Sequence, residues 1–149
     1  MVIYLGADHR GFETKEAVKA ELLGQGYQVT DLGNTQKEEG DDYVDFASAV
    51  AKKVRLDPGL SRGILFCGSG VGMDVTANKF RKVRSVVGIV PDQVYDARHD
   101  DDANVLTIAT GFTGEEQAKE MVRVFVQTSF AGEERHRRRL EKIAQIENA

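Results

Sequence analysis

Cysteine is nearly absent from this sequence of 149 residues, which contains one, Cys67. A lone cysteine excludes an intrachain disulfide framework, and no Cys/His spacing typical of a structural metal site is present. No apolar run approaches the roughly 20 residues that a membrane-spanning helix needs. The chain begins directly with an apolar strand pattern at 2–6, so we expect no signal peptide. These features predict a cytoplasmic protein in a reducing compartment.

Positive charge is not in excess either. The chain has 20 Lys and Arg against 24 Asp and Glu, which gives a formal net charge of −4. This balance excludes a general affinity for nucleic acid, and we expect neither nucleic acid nor membrane as a partner. The length fits one domain with a sizeable core, and no repeat or low-complexity segment divides it. We therefore expect a single domain, 1–149, that binds a small molecule.

The sequence is instead a regular alternation of apolar, β-rich runs and amphipathic stretches. Strands are predicted at 2–6, 27–32, 62–66, 84–90 and 104–110. Helices are predicted at about 11–24, 42–55, 71–80, 92–100, 114–128 and 132–147. This alternation predicts a five-stranded parallel sheet covered on both faces, in a Rossmann-like three-layer α/β/α sandwich. Ligands of such sheets bind at the carboxyl ends of the strands.

The segment 64–73 reads as a buried strand that runs into a glycine-rich turn, with Cys67 at the junction. Gly68, Gly70 and Gly72 allow a tight turn and leave backbone N–H groups uncovered, which favours an anion site. The same N–H groups would ease the loss of the thiol proton, so Cys67 is a candidate base or nucleophile. The alternative is a buried structural cysteine in a tight turn. The glycine spacing fits neither a Walker loop nor the dinucleotide fingerprint.

Polar residues follow the other strands as well. Asp8 and His9 come after the first strand, Asp42-Tyr43 opens the second helix, and a polar run occupies 98–102. We expect these groups to converge on one cleft with the glycine-rich turn. Taken alone, His9 fits equally well as a helix-start residue bonded to backbone, and Asp102 as a solvated helix end.

The last predicted helix carries Arg135 and Arg139, which are four residues apart and so share one helical face. Two guanidinium groups on one face suit the binding of a phosphate. The alternative is an ordinary solvated basic face. A helix at this end of the chain could also reach a second subunit.

Taken together, these motifs resemble the type B ribose-5-phosphate isomerases and the related galactose-6-phosphate isomerase subunits, over nearly the whole chain. The matching segments are Gly6-Ala7-Asp8-His9-Arg10-Gly11-Phe12, Asp42-Tyr43, Cys67-Gly68-Ser69-Gly70-Val71-Gly72, Ala77-Asn78-Lys79, Asp102-Ala103-Asn104-Val105-Leu106, and Arg135-His136 with Arg139. The resemblance implies a homodimer or a dimer of dimers with shared active sites and a C-terminal helix that reaches the partner. It also implies aldose–ketose isomerisation of a sugar phosphate without a metal or other cofactor.

The resemblance also implies a role for each matching residue. Cys67 is the base that moves a proton through an enediolate, and Ser69 assists it. Asp8 binds sugar hydroxyls, while His9 and the two arginines of the last helix serve the phosphate. The residues implied to contact substrate are Asp8, His9, Asp42, Tyr43, Gly68, Gly70, Val71, Gly72, Asp101, Arg135 and Arg139.

The chain departs from the family pattern at the position of the histidine that opens the furanose ring, which is Asp100 here. The asparagine after it is Asp101, and His99 lies one position early, about 100° around a helix, so we expect it to face elsewhere. The arginine that often binds phosphate after the fifth strand is Gly111. Asp100 and His99 are therefore the candidates for ring opening.

Three functions stay open on these grounds. The first is an isomerase of an acyclic substrate such as a tetrose phosphate, which needs no ring-opening group. The second is a ribose-5-phosphate isomerase in which Asp100 or His99 replaces the histidine. The third is a non-catalytic sugar-phosphate-binding subunit that works beside a paralogue. Retention of Cys67, Ser69 and the arginine pair favours an enzyme.

Overall fold

The computed structural model describes residues 1–149, and strands alternate with helices along the whole chain. The strands are β1 (Val2–Ala7), β2 (Gln28–Asp31), β3 (Ser61–Cys67), β4 (Ser85–Gly88) and β5 (Val105–Ala109). The helices are α1 (Phe12–Gly24), α2 (Tyr43–Val54), α3 (Val71–Ala77), α4 (Pro91–Asp101), α5 (Glu115–Gln127) and α6 (Glu134–Glu147). The predicted order of elements is confirmed. None of these helices has the length and apolar character needed to cross a membrane.

All five strands are parallel and form one sheet in the order β2-β1-β3-β5-β4. The chain first builds outward from β1 to β2 and then returns to place β3 on the other side of β1. The strand order therefore reverses between β1 and β3, and the crevice outside their carboxyl ends is where open α/β sheets bind ligands. Asp8 follows β1 and Cys67 ends β3, so both stand at this crevice.

Helices cover both faces of the sheet, as the α/β/α prediction requires. One core lies against α1, α4 and α5 and includes Phe66, and the other lies against α2 and α3 and includes Leu65 and Cys67. Neighbouring side chains of a strand point to opposite faces, and β3 is apolar on both because both are buried. The thiol of Cys67 therefore belongs to the α2/α3 face.

Strand β4 is shorter than predicted and ends at Gly88 rather than at 90. The side chain of Gln93 accepts a hydrogen bond from the Ile89 N–H and donates one to the Val87 carbonyl, so it replaces sheet pairing there. Pro91 then opens α4 at the first helical turn, where a missing N–H costs nothing. As a result Ile89 is 67% exposed at the carboxyl edge of the sheet.

Candidate active site

Cys67 occupies the last position of β3, directly before the glycine-rich turn. Gly70 has a φ of 77°, a left-handed conformation that side-chain-bearing residues rarely adopt, and it starts α3. The backbone N–H groups of Gly70 and Met73 lie near enough to the Cys67 sulfur to lower the pKa of its thiol. The predicted proximity of a thiol to backbone donors is therefore present in the fold.

The prediction that the Cys67 thiol loses its proton more easily than a free thiol is wrong for this chain on its own. Burial raises the pKa of the Cys67 thiol above its usual 9.0, and it outweighs the N–H groups of Gly70 and Met73, which lower it. The charge of Asp8 raises this pKa further and that of Arg10 lowers it, so both lie within electrostatic reach of the sulfur. Removal from water disfavours the charged thiolate, and two backbone dipoles do not compensate.

The glycine-rich turn also presents N–H groups that no protein atom accepts. Those of Gly68, Ser69 and Gly72 have no acceptor in the chain, whereas the N–H of Val71 donates to the Ser69 hydroxyl at 3.3 Å. Val71 itself is 58% exposed. Free, converging donors of this kind can stabilise an oxyanion.

A cavity of about 350 Å³ opens beside this turn at the carboxyl ends of β4 and β5. Ser69 lies on one wall, and Thr113 and Gln117 provide further polar groups among apolar neighbours. Phe112 also lines the cavity and is 84% exposed, which leaves an apolar rim facing solvent.

Asp8 and His9 are held in place by different partners at the end of β1. One oxygen of Asp8 accepts hydrogen bonds from the N–H groups of Arg10 and Gly11, at 2.9 and 3.1 Å. The Nδ1 atom of His9 lies 2.8 Å from the Asp41 carboxylate, which also accepts the His9 N–H. Of the two alternatives for His9, a helix-start residue bonded to backbone is not seen, because its imidazole contacts the Asp41 carboxylate through Nδ1 and leaves Nε2 without a partner.

Asp42 and Tyr43 lie at the start of α2, where Asp42 caps the helix by accepting the Val44 N–H at 3.1 Å. The Tyr43 ring packs over Gly72, where an added Cβ would lie 2.5 Å from a ring carbon. Tyr43 therefore touches the glycine-rich turn, as predicted, and Gly72 provides the space for it.

His99 and Asp100 form a second polar cluster with His136, at the end of α4 and the start of α6. The Nδ1 atom of His99 lies 2.7 Å from the Asp100 carboxylate, and the His99 ring stacks on Tyr95 with centroids 5.2 Å apart. The two residues point in different directions from the helix, yet their side chains are long enough to meet across adjacent positions. That His99 does not take the place of the family's histidine stays a prediction. The bond from His99 lowers the pKa of Asp100, which keeps this carboxylate ionised at neutral pH.

His136 is the most unusual member of this cluster. It is only 2% exposed, and neither ring nitrogen has a hydrogen-bond partner. Its Nε2 atom lies 3.6 Å from the Asp100 carboxylate, which is too long for a hydrogen bond. Ligand atoms of His99, Asp100 and His136 lie within 4.8 Å of one another, a donor set that could hold a divalent cation.

Asp101 and Asp102 end α4 and differ in role. Asp101 is exposed, and its carbonyl accepts a hydrogen bond from Arg84 at 3.1 Å. Asp102 is not the solvated helix end expected from the sequence, because its carboxylate pairs with Arg98 at 2.8 Å and with Arg84 at 2.9 Å. These ion pairs fix the turn between α4 and β5.

The predicted convergence of all these groups on one cleft is wrong within a single chain. Arg84 precedes β4, contacts the end of α4 and is bonded to Asn104, which precedes β5, so that end lies at the amino edge of the sheet. Cys67 pairs with Ala109 at the other end of β5, four residues from Val105, or roughly 13 Å away. A helix that follows a parallel strand runs back along the sheet, and this reverses the position of its last turn.

Arg135 and Arg139 belong to the amino-edge group. Both lie on α6, and Arg135 is near enough to lower the pKa of Asp100, although its own guanidinium donates to Glu133 at 3.0 Å. One chain thus carries two sets of functional groups. The carboxyl-edge set contains Asp8, His9, Asp42, Tyr43, Cys67, Gly68, Ser69, Gly70, Val71 and Gly72, and the amino-edge set contains His99, Asp100, Asp101, Arg135, His136 and Arg139.

Sequence reasoning missed several polar residues at these two sets. Asp41 lies in a polar loop and gives no motif, yet it orients His9. Asp74 is partly buried in α3, where burial raises its pKa and the Ser85 hydroxyl donates to it at 2.7 Å. Arg10 stands inside the motif at 6–12. Its position directly after an aspartate and a histidine could have indicated a role at the site.

Comparison with known proteins gives a consistent result for the whole chain. The Ribose/Galactose Isomerase family model matches residues 3–143. Ribose-5-phosphate isomerase B of Escherichia coli K12 is 39% identical over 145 residues, which cover 97% of this chain and 95% of that protein. A 4-deoxy-4-sulfo-D-erythrose isomerase of Clostridium sp. strain MSTE9 is 35% identical over 130 residues, 87% of this chain and 81% of that protein.

A solved structure agrees with these matches. Ribose-5-phosphate isomerase B of Mycoplasma genitalium, with bound ribulose-5-phosphate, superimposes with a TM-score of 0.95 at 35% identity. The match covers 99% of this chain and 96% of that one. Fold and relatives together define an α/β aldose–ketose isomerase acting on sugar phosphates. The chain belongs to the ribose/galactose isomerase family.

Proposed function

We propose that this chain converts an aldose phosphate, or a closely related anionic sugar, into its ketose through an enediolate, with Cys67 as the base. The observation that carries this proposal is the thiol at the end of β3, faced by the N–H groups of Gly70 and Met73. Unused N–H donors of Gly68, Ser69 and Gly72 lie beside it. A base next to an oxyanion cradle is what proton transfer between adjacent carbons requires.

The reaction removes one proton from a carbon and returns a proton to the adjacent carbon. The Cys67 thiolate takes the proton from the carbon next to the carbonyl, and the electron pair of that C–H bond forms the enediolate double bond. The resulting thiol returns a proton to the neighbouring, former carbonyl carbon, which becomes an alcohol carbon, while the carbon that lost its proton becomes the ketone carbonyl. The Ser69 hydroxyl is within the same turn and assists by moving a proton between the two oxygens. No electron is gained or lost overall.

We further propose that two copies of the chain complete each active site. The carboxyl-edge set contains the base and oxyanion donors, while the arginine pair of α6 lies at the amino edge of the same chain. Arg135 and Arg139 would therefore serve the Cys67 of the partner. The exposed apolar side chains Ile89 and Phe112 at the carboxyl edge are suitable surface for such a contact.

The substrate that fits best is an acyclic C4 sugar with an anionic end. Opening a furanose ring needs a group that both gives and takes a proton, and an ionised carboxylate at position 100 has no proton to give. A relative with 35% identity is a 4-deoxy-4-sulfo-D-erythrose isomerase, and such a C4 sugar is too short for a phosphorylated furanose ring. Ribose 5-phosphate is the second candidate, with His99 as the ring-opening group through its contact with Asp100.

The deciding experiment is a substrate panel assayed for ketose formation. It compares D-erythrose 4-phosphate, 4-deoxy-4-sulfo-D-erythrose, ribose 5-phosphate and a C6 aldose phosphate, with proton exchange followed by NMR in D₂O. We expect a C4 substrate to give the highest kcat/KM. Ribose 5-phosphate turned over faster than its ring opens spontaneously would favour the second candidate. Binding without turnover on the whole panel would favour a non-catalytic subunit.

A further inference from the structure

Arg10 carries the guanidinium group that lies nearest to the glycine-rich turn. A Cβ added at Gly68 would fall within this guanidinium, and one added at Gly111 would lie 3.4 Å from its Nη2 atom. The Arg10 side chain therefore occupies space that a side chain at Gly68 or Gly111 would fill. Gly68 follows Cys67, and Gly111 comes shortly after β5, so the guanidinium spans the carboxyl ends of β3 and β5.

The backbone of Arg10 is tied to the loops on both sides. Its N–H donates to the Asp8 carboxylate at 2.9 Å, and its carbonyl accepts the Thr110 hydroxyl at 2.9 Å. The same hydroxyl also lies 3.2 Å from the Cys67 carbonyl. These bonds fix the start of the Arg10 side chain relative to the thiol, so less freedom remains to be lost when the guanidinium binds a ligand.

The Arg10 guanidinium has no acidic partner and no hydrogen bond to the protein, and the residue is exposed. Some arginines are neutralised: Arg84 and Arg98 share Asp102, and Arg123 pairs with Glu21. Arg55 and Arg139 also have no acidic partner, so the position of Arg10 over the glycine-rich turn is what sets it apart. An unpaired guanidinium presents several N–H donors in one plane, which suits a tetrahedral anion.

We propose that Arg10 is an anion anchor on the same chain as Cys67 and binds the terminal phosphate or sulfonate of the substrate. The identity of the ligand as an anionic sugar rests on the proposed function. The anchor itself rests on the unpaired guanidinium and on the two glycines beneath it, Gly68 and Gly111. It supplies one cation at the carboxyl edge, so anion binding does not depend only on arginines from a second chain.

The test measures binding in a Cys67→Ala background, so that no turnover interferes. Arg10→Ala should weaken D-erythrose 4-phosphate about ten- to hundredfold, because a charge-assisted contact is worth about 1.5–3 kcal/mol. D-erythrose, which lacks the anionic group, should bind equally to both proteins in an NMR titration. Including 4-deoxy-4-sulfo-D-erythrose distinguishes phosphate from sulfonate, because the natural anion should show the larger loss.

A conservative substitution sharpens the test. Arg10→Lys keeps the positive charge but loses the planar guanidinium, and we expect it to retain part of the affinity that Arg10→Ala loses. The matched control is Arg55→Ala, which removes an exposed arginine just after α2, away from the turn. The control should leave both affinities unchanged.

Three results would overturn the proposal: an unchanged affinity in Arg10→Ala, an equal loss for sugar and sugar phosphate, or an equal loss in Arg55→Ala. Its failure is distinguishable from failure of the proposed function. If no substrate is isomerised but the phosphate-specific loss is seen, the anchor stands and the isomerase proposal falls. If isomerisation is efficient and Arg10→Ala binds normally, only the anchor falls.

Discussion

The two edges of the sheet carry functional groups that are held in different ways. At the carboxyl edge the backbone sets the geometry, because Cys67 ends a strand and Gly70 turns the chain with a φ of 77°. At the amino edge side chains set it, through contacts of His99 and Asp100 at the end of α4 with His136 of α6. The carboxyl edge offers a thiol and oxyanion donors, and the amino edge offers an arginine pair and an acid–base cluster.

This difference indicates what each edge lacks. The carboxyl edge has the base but a buried thiol whose pKa is raised, and Arg10 is the cation closest to its turn. The amino edge has two arginines on one helical face but lacks the thiol and the glycine-rich turn. The two sets complement each other chemically, and a second copy of the chain is the simplest way to join them.

The largest effect should come from Cys67→Ala, which removes the base from the carboxyl edge. We expect isomerisation to fall by at least about a thousandfold, within the range that a general base contributes, while ligand binding and the fold remain. Solvent deuterium exchange at the carbon next to the carbonyl, followed by NMR, measures this directly. Undiminished exchange would assign the base to another residue.

Arg139→Ala tests the amino edge and its assignment to a partner. We expect phosphorylated ligand to bind about ten- to hundredfold more weakly, with little change for the unphosphorylated sugar. Mixing this variant with Cys67→Ala should restore about one quarter of the unmutated activity, because half of the random dimers contain one intact site.

The control for this complementation mixes Cys67→Ala with the double variant Cys67→Ala/Arg139→Ala, which leaves every site without a thiol. No recovery should appear there. If the first mixture also stays inactive although subunits exchange, each active site is built from one chain and the shared arrangement is wrong.

The pH dependence tests the buried state of the thiol. Because burial raises its pKa, Cys67 is mostly protonated at neutral pH, and only the thiolate can act as base. kcat/KM should therefore rise about tenfold per pH unit until it approaches that pKa. The alkylation rate of Cys67 by iodoacetamide should follow the same curve. A flat rate profile beside a rising alkylation profile would exclude the thiolate as the base.

Asp100→His gives the smallest expected effect and separates the two substrate candidates. An ordinary aspartate has a pKa of about 4 and is ionised at neutral pH, whereas an imidazole can both give and take a proton. We expect kcat/KM on ribose 5-phosphate to rise about tenfold, with little change on D-erythrose 4-phosphate. Equal gains on both would mean that position 100 acts on binding and not on ring opening.

Much of the fold could be predicted because it depends on local patterns. The apolar run at 64–66 and the glycines after Cys67 predict a buried strand and a turn at its carboxyl end, and both are present. The end of β4 was less predictable. Ile89 and Val90 are as apolar as any strand residue, but the Gln93 side chain accepts the Ile89 N–H, and Val90 already caps the start of α4 by accepting the Val94 N–H.

The candidate site was predictable only in part, because long-range placement decides it. The spacing of Arg135 and Arg139 gives their shared face but not the edge of the sheet where they lie. Nothing in the sequence joins Asp41 to His9, or His136 to Asp100, since these pairs meet through packing.

The sequence alone determined the order of elements, the parallel sheet and the position of Cys67 at a strand end, because periodicity and glycine conformation act over a few residues. Tertiary structure decided the pKa of the thiol, since burial outweighs the local N–H groups that the sequence reveals. It also decided that α4 returns its last turn to the opposite edge, away from Cys67, and that Arg10 lies across Gly68 and Gly111. Those outcomes depend on which surfaces exclude water and on contacts between distant segments, and neither can be read from neighbouring residues.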